Sequence, residues 1–133
     1  MHYCARHPAG SISISPIAGS MGLTQERGKR GEDLAADFLC AKGYRIIARN
    51  VRSPYGEIDL VCQERGTLVL VEVRYRASAA FGRPEETVVG QKLLRMQRSA
   101  EWYVTHTHYT DDYRIDVVGV TQNGPITLLR DVS

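Results

Sequence analysis

Gly56-Glu57-Ile58-Asp59-Leu60-Val61, followed after a short turn by Leu70-Val71-Glu72-Val73-Arg74, is the stretch that decides how this chain folds. Both runs alternate with a period of two, as strands do. The Arg65-Gly66 pair between Glu64 and Thr67 supplies a two-residue turn, so the segment reads as a β-hairpin over 56–76. A symmetric loop there sets Asp59 opposite Glu72 and Glu57 opposite Arg74. One face then carries Ile58, Leu60, Cys62, Val69, Val71 and Val73, all apolar, as a buried sheet face requires. The other carries Val61, Leu68 and Leu70 near the turn, with Glu57, Asp59, Glu72 and Arg74 at the far end. Directly opposed carboxylates lie roughly 5 Å apart at Cβ and repel. A divalent cation between Asp59 and Glu72 removes that repulsion. A salt-bridged sheet face, with Glu57 on Arg74, is the competing account.

Outward from the hairpin, a helix is expected to begin between Thr24 and Gly31 and to run to about Lys42. Leu34, Ala35, Phe38 and Leu39 form its apolar stripe, and Gly43 stops it. Glu32 sits at the border of that stripe. A strand over 44–49 and a loop over 50–55, containing Ser53-Pro54, lead into the hairpin. Past the hairpin, the Phe81-Gly82-Arg83-Pro84 loop precedes a second helix ending near His106. Its stripe is Val89, Leu93, Met96, Ala100, Tyr103 and Val104, and Lys92 flanks it. Strands follow over 113–121 and 126–130, separated by the Asn123-Gly124-Pro125 turn. The order αβββαββ predicts an α/β fold, a mixed sheet of about five strands flanked by helices.

A chain of 133 residues is long enough for one domain with a real core, here over 24–133. Residues 1–23 read as a flexible leader. Their Ser-Ile-Ser-Ile-Ser-Pro alternation lacks a signal-peptide core, and Met21 is a candidate functional start. No apolar run approaches membrane-spanning length. Cys4, Cys40 and Cys62 fit neither a disulfide framework nor zinc-ligand spacing, so Cys40 and Cys62 read as buried reduced thiols of a cytoplasmic protein. A net charge of +2 is too mild to imply nucleic acid by itself, although lysine occurs only at 29, 42 and 92 and arginine suits phosphate better. His106 and His108 read as loop histidines, Asp116 as a partner of Arg114 or a neighbouring strand, and Trp102 and Tyr103 as packing residues.

Four pieces, taken together and in order, resemble the YraN family, a bacterial group similar to archaeal Holliday-junction resolvases and other PD-(D/E)XK nucleases. They are Gly31-Glu32 opening a helix, Gly56-Glu57-Ile58-Asp59-Leu60, Val71-Glu72-Val73-Arg74-Tyr75-Arg76, and Phe81-Gly82-Arg83-Pro84. The likeness covers about residues 27–120 and implies a restriction-endonuclease-like fold. It makes Asp59 the motif aspartate, Glu72 the motif glutamate and Glu32 the helix glutamate of resolvase-like members. It also implies Mg²⁺ or Mn²⁺ held by Asp59, Glu72 and the Val73 carbonyl, and hydrolysis of branched or structured DNA, with a homodimer the assembly suited to symmetric cutting. Arg74 stands where the pattern has lysine. A guanidinium holds phosphate well but does not give up its proton, so position 74 cannot serve as a base. Lys92 is the one lysine placed to substitute in space.

A DNA-cutting site needs a basic rim for the phosphate backbone. Arg27, Lys29, Arg30, Arg49, Arg52, Arg76, Arg83 and Lys92 are its candidates. Two functions therefore stand side by side: a metal-dependent endonuclease, and a nucleic-acid-binding module weakened catalytically by Arg74. A protein-interaction domain is the third option.

Overall fold

The computed structural model describes residues 22–76 and 90–132, with side chains for 30–75 and 90–132. Residues 1–21 of the expected leader and the Phe81–Pro84 loop lie outside the described residues, while residues 22 and 23 belong to the first helix. Helix α1 spans Gly22–Ala41, strand β1 Arg45–Ser53, β2 Gly56–Glu64, β3 Thr67–Arg76, helix α2 Gly90–His106, β4 Tyr113–Thr121 and β5 Ile126–Leu129. The five strands form one sheet in chain order, antiparallel except for β3 against β4, which are parallel and joined by the crossover through α2. The fold is thus the expected αβββαββ mixed sheet with helices on it. Among the described residues, no helix is long and apolar enough to cross a membrane.

The β2–β3 hairpin has the expected register, from Glu64 opposite Thr67 to Leu60 opposite Val71. Arg65 and Gly66 both take positive φ, 52° and 83°, which matches the twist of the flanking strands. The two sheet faces bury separate cores. Helix α1 sets Ala35, Ala36 and Leu39 on Leu60, Cys62, Val69, Val71, Val118 and Val120. Helix α2 sets Ala100, with Met96, Tyr103 and Val104, on Ile58, Val61, Leu68, Leu70 and Ile115. Each fully buried valine or leucine contributes about 1.5–3 kcal/mol, which fixes this register, since a slip by one residue would exchange the faces. Gly31 lets α1 lie close to β3, because a Cβ there would meet the Tyr75 ring at 3.2 Å.

Several expectations are corrected. Helix α1 begins at Gly22, and its Leu34 is exposed rather than part of the buried stripe. Strand β1 continues through the segment read as a loop, as far as Ser53. Ile58 packs under α2, not with Leu60. The cause is Asn50, whose φ of +51° breaks the alternation of β1. Ala48 and Val51, three residues apart, both face α2, and Val51 carries its partner Ile58 to that side. Cys40 is half-buried rather than buried, whereas Cys62 is the expected buried free thiol.

Candidate metal and phosphate site

The hairpin ladder stops at Leu60–Val71, and the next residue of β2, Asp59, does something else. Its carboxylate accepts the backbone N–H of Val73 at 2.7 Å. The side chain thus takes the place of a ladder bond and opens a gap at that end of the hairpin. Into the gap come acidic groups from three elements. Carboxylate oxygens of Glu32 from α1 and of Glu57 and Asp59 from β2 all lie within 4.8 Å of one another. Glu72, on the α2 side of β3, lines a cleft of about 140 Å³ together with Glu57 and Asp59. Residues Lys92, Arg95, Met96 and Ser99, one face of α2, form its opposite wall, with Tyr55 and Gly56 at one end.

Glu32 does not point there freely. The Asn50 amide donates to both of its carboxylate oxygens, at 3.0 and 3.1 Å. One residue earlier, Arg49 pairs with Asp33 at 2.8 Å. Two successive residues of β1 thus grip two successive residues of α1. Asparagine tolerates the left-handed backbone that this requires better than a β-branched or bulky residue. On the far side of the cleft, one oxygen of Glu72 is 3.7 Å from Nη1 of Arg74 and 3.7 Å from Nζ of Lys92.

The electrostatics follow from this crowding. Burial pushes the Asp59 carboxyl up to about 7, the Glu72 charge adds to the push, and the Val73 N–H only partly opposes it. Burial raises Glu72 as well, in spite of Lys92 and Arg74. Burial also raises Glu32, against the Asn50 hydrogen bonds and the Arg49 charge. Ionising these groups together is costly unless a cation enters, and hard carboxylate oxygens are the donors that Mg²⁺ or Mn²⁺ prefers. The donor set fits the metal.

Of the residues singled out from sequence, the structure gathers Glu32, Asp59, Glu72, Arg74 and Lys92 around this gap. Arg30 and Arg52 are exposed, and Arg52 lies opposite Glu57 in the β1–β2 ladder. Arg27 and Lys29 lie in α1 and Arg76 ends β3, but their side chains are outside the described ones, as is all of Arg83. Arg74 reaches Glu72 rather than being paired across the strands with Glu57, and Glu57 joins the acidic group instead. Asn50, Glu57 and Arg95 were missed as site residues. Glu57 looked like a strand partner, and Arg95 had only its spacing from Lys92 to mark it. Asn50 is the residue that a helix glutamate's anchor would have to be, yet no local pattern marks it.

Outside the cleft, Asp116 is fully buried and saturated. It accepts from Tyr44 at 2.8 Å, from Arg114 at 2.9 Å and from the backbone N–H of Asp131 at 2.9 Å. Arg114 also bonds Glu64, to which Arg130 adds a second cation. This knot ties β4 to the end of β1's approach and to the C-terminal segment, and it includes the expected Arg114 pairing. His106 and His108 are exposed, and His106 stacks on Trp102 at 4.3 Å.

A mixed five-stranded sheet with acidic residues gathered at one loosened hairpin end places the chain in the PD-(D/E)XK nuclease-like class, with a restriction-endonuclease-like fold. More narrowly, the chain belongs to the uncharacterised protein family UPF0102, whose family model matches residues 31–120. It is similar to UPF0102 proteins of Paenarthrobacter aurescens (47% identical over 100 residues, 74% of this chain and 83% of the relative) and Dichelobacter nodosus (43% over 108 residues, 80% and 86%). A UPF0102 protein of Persephonella marina is 38% identical over 98 residues, 73% and 84% of the two chains.

Proposed function

We propose that this protein is a divalent-metal-dependent endonuclease acting on branched or structured DNA. The observation that carries the reading is the convergence of Glu32, Glu57, Asp59 and Glu72 on one gap, with Lys92 and Arg95 facing three of them across a cleft. Asp59 and Glu72, with the Val73 carbonyl, are the residues that would hold Mg²⁺ or Mn²⁺; Glu32, fixed by Asn50, is positioned to hold a water. When bound, the ion polarises the phosphate and acidifies water. The chain's own part is to hold those carboxylates oriented around the gap and to offer cations to the phosphate backbone. Arg30 and Arg52, both exposed, are the further candidates for phosphate contacts.

The test is cleavage of a labelled four-way junction by the full chain in Mg²⁺ or Mn²⁺. Clean cleavage that is lost in Asp59→Ala and Glu72→Ala supports the enzyme. Failure to bind either metal by calorimetry would sink it. The second reading, a DNA-binding module, rests on Arg74 and predicts salt-dependent junction binding without cleavage, with Arg74→Lys raising cleavage. An interaction domain predicts no salt-dependent DNA affinity at all.

A further inference from the structure

We propose that Lys92, presented from α2, performs at this site the service that the nuclease pattern assigns to a lysine two residues after the motif glutamate, and that Arg74 does not. The proposal rests on the nuclease reading and deepens it. Two cations reach the same oxygen of Glu72, each at 3.7 Å: Arg74 from the strand and Lys92 from the helix. They differ in what else they face. The described residues lining the cleft include Lys92 and Arg95, together with Glu57, Asp59 and Glu72, but not Arg74. The strand position has kept the charge, and the helix position holds the group that looks into the cleft.

The chemistry favours the helix group. An ammonium is compact and carries three donors, so Lys92 can keep one toward Glu72 and turn the others to a non-bridging phosphate oxygen. Its side chain is 38% exposed against 24% for Arg74, leaving it room to do so. Lys92 and Ser99 are seven residues apart on one face of α2, and Ser99 is tied to the β1–β2 turn by a 2.9 Å bond to Ser53. The helix is thus docked where Lys92 needs it. In the reaction, a water oxygen bonds to phosphorus, the bond from phosphorus to one sugar oxygen breaks, and the water gives up a proton while the departing oxygen takes one up. No oxidant or further reactant is needed. Lys92 stays charged throughout and binds the negative charge that builds on the phosphate oxygens.

The experiment measures single-turnover cleavage of a four-way junction in Mn²⁺ by the full-length protein and its K92M and K92R variants. Junction affinity in Ca²⁺ and thermal midpoint are measured alongside. We expect K92M to cleave about 100-fold more slowly, as loss of one charge-stabilising donor does, while its affinity stays within about threefold of the parent. K92R should recover a clear part of the rate, because it restores a charged donor. Two results would overturn the proposal: K92M cleaving at the parental rate, or losing affinity or thermal midpoint in step with rate, as a merely anchoring residue would. A parent protein that never cleaves in Mn²⁺ refutes the nuclease reading itself, and this proposal with it. Loss of cleavage in Asp59→Ala but not in K92M separates the two failures.

Discussion

Replacing Asp59 with asparagine should make the metal-free protein more stable while destroying its proposed activity. In the folded chain, burial and the Glu72 charge hold the Asp59 carboxyl near 7, against an ordinary value of 3.8. The unfolded chain binds the proton less tightly, so Asp59 stabilises the fold below about pH 3.8, and that contribution is lost as pH rises through 7. Roughly three pH units separate the two values, at 1.36 kcal/mol each, so ionised Asp59 costs the fold up to about 4 kcal/mol at pH 8. Asparagine keeps an oxygen to accept the Val73 N–H and carries no charge. Urea unfolding at pH 8 with a chelator should therefore show Asp59→Asn more stable than the parent by about 2–4 kcal/mol, the lower figure allowing for relaxation around Glu72. The gap should close toward pH 4. Saturating Mg²⁺ should raise the parent's midpoint and leave the variant's unchanged. An Asp59→Asn protein equal to or weaker than its parent at pH 8 would refute this reasoning, since it would mean that the carboxyl group is not under strain.

Other outcomes follow from the same geometry. Asp116→Ala should cost about 3–5 kcal/mol in urea unfolding, because it leaves the Arg114 charge and the Tyr44 hydroxyl without their buried partner. Tyr44→Phe, which removes the hydroxyl's bonds to Asp116 and Arg114 but keeps the ring, should cost less, about 1–3 kcal/mol in the same assay. Asn50→Ala should lose about 1–2 kcal/mol, from the hydrogen bonds to Glu32 and the poorer fit of alanine to a positive φ. It should also weaken Mn²⁺ binding by calorimetry, because Glu32 is then free to turn away.

How far the sequence carried depends on the range of each interaction. The hairpin register was legible from Glu64–Thr67 to Leu60–Val71, because a two-residue turn at Arg65-Gly66 and strict alternation leave one register there. The sequence of elements along the chain, and the existence of both helices, followed from periodicity. What escaped were the consequences of Asn50. In Asn50-Val51-Arg52-Ser53-Pro54 the residues look like a loop, and nothing local says that one left-handed residue will let the strand continue and turn Val51 and Ile58 to the other face. That flip also explains why Glu57 reaches Glu32 and Asp59 instead of pairing across with Arg74. The Tyr44–Asp116 bond joins residues 72 positions apart, so only the assembled sheet brings it about. Lys92 was legible as a cation beside an apolar stripe, but its approach to Glu72 depends on how α2 docks.

The central claim is that Asp59 and Glu72 share a divalent cation. A crystal structure of the full chain grown with Mn²⁺, with data collected at the manganese edge, tests it most directly. The account predicts an anomalous peak in the cleft bonded to an oxygen of each carboxylate at about 2.0–2.2 Å, with Lys92 still beside Glu72. Both carboxylates free of metal under millimolar Mn²⁺, with Glu72 bridged only by Arg74 and Lys92, would contradict it.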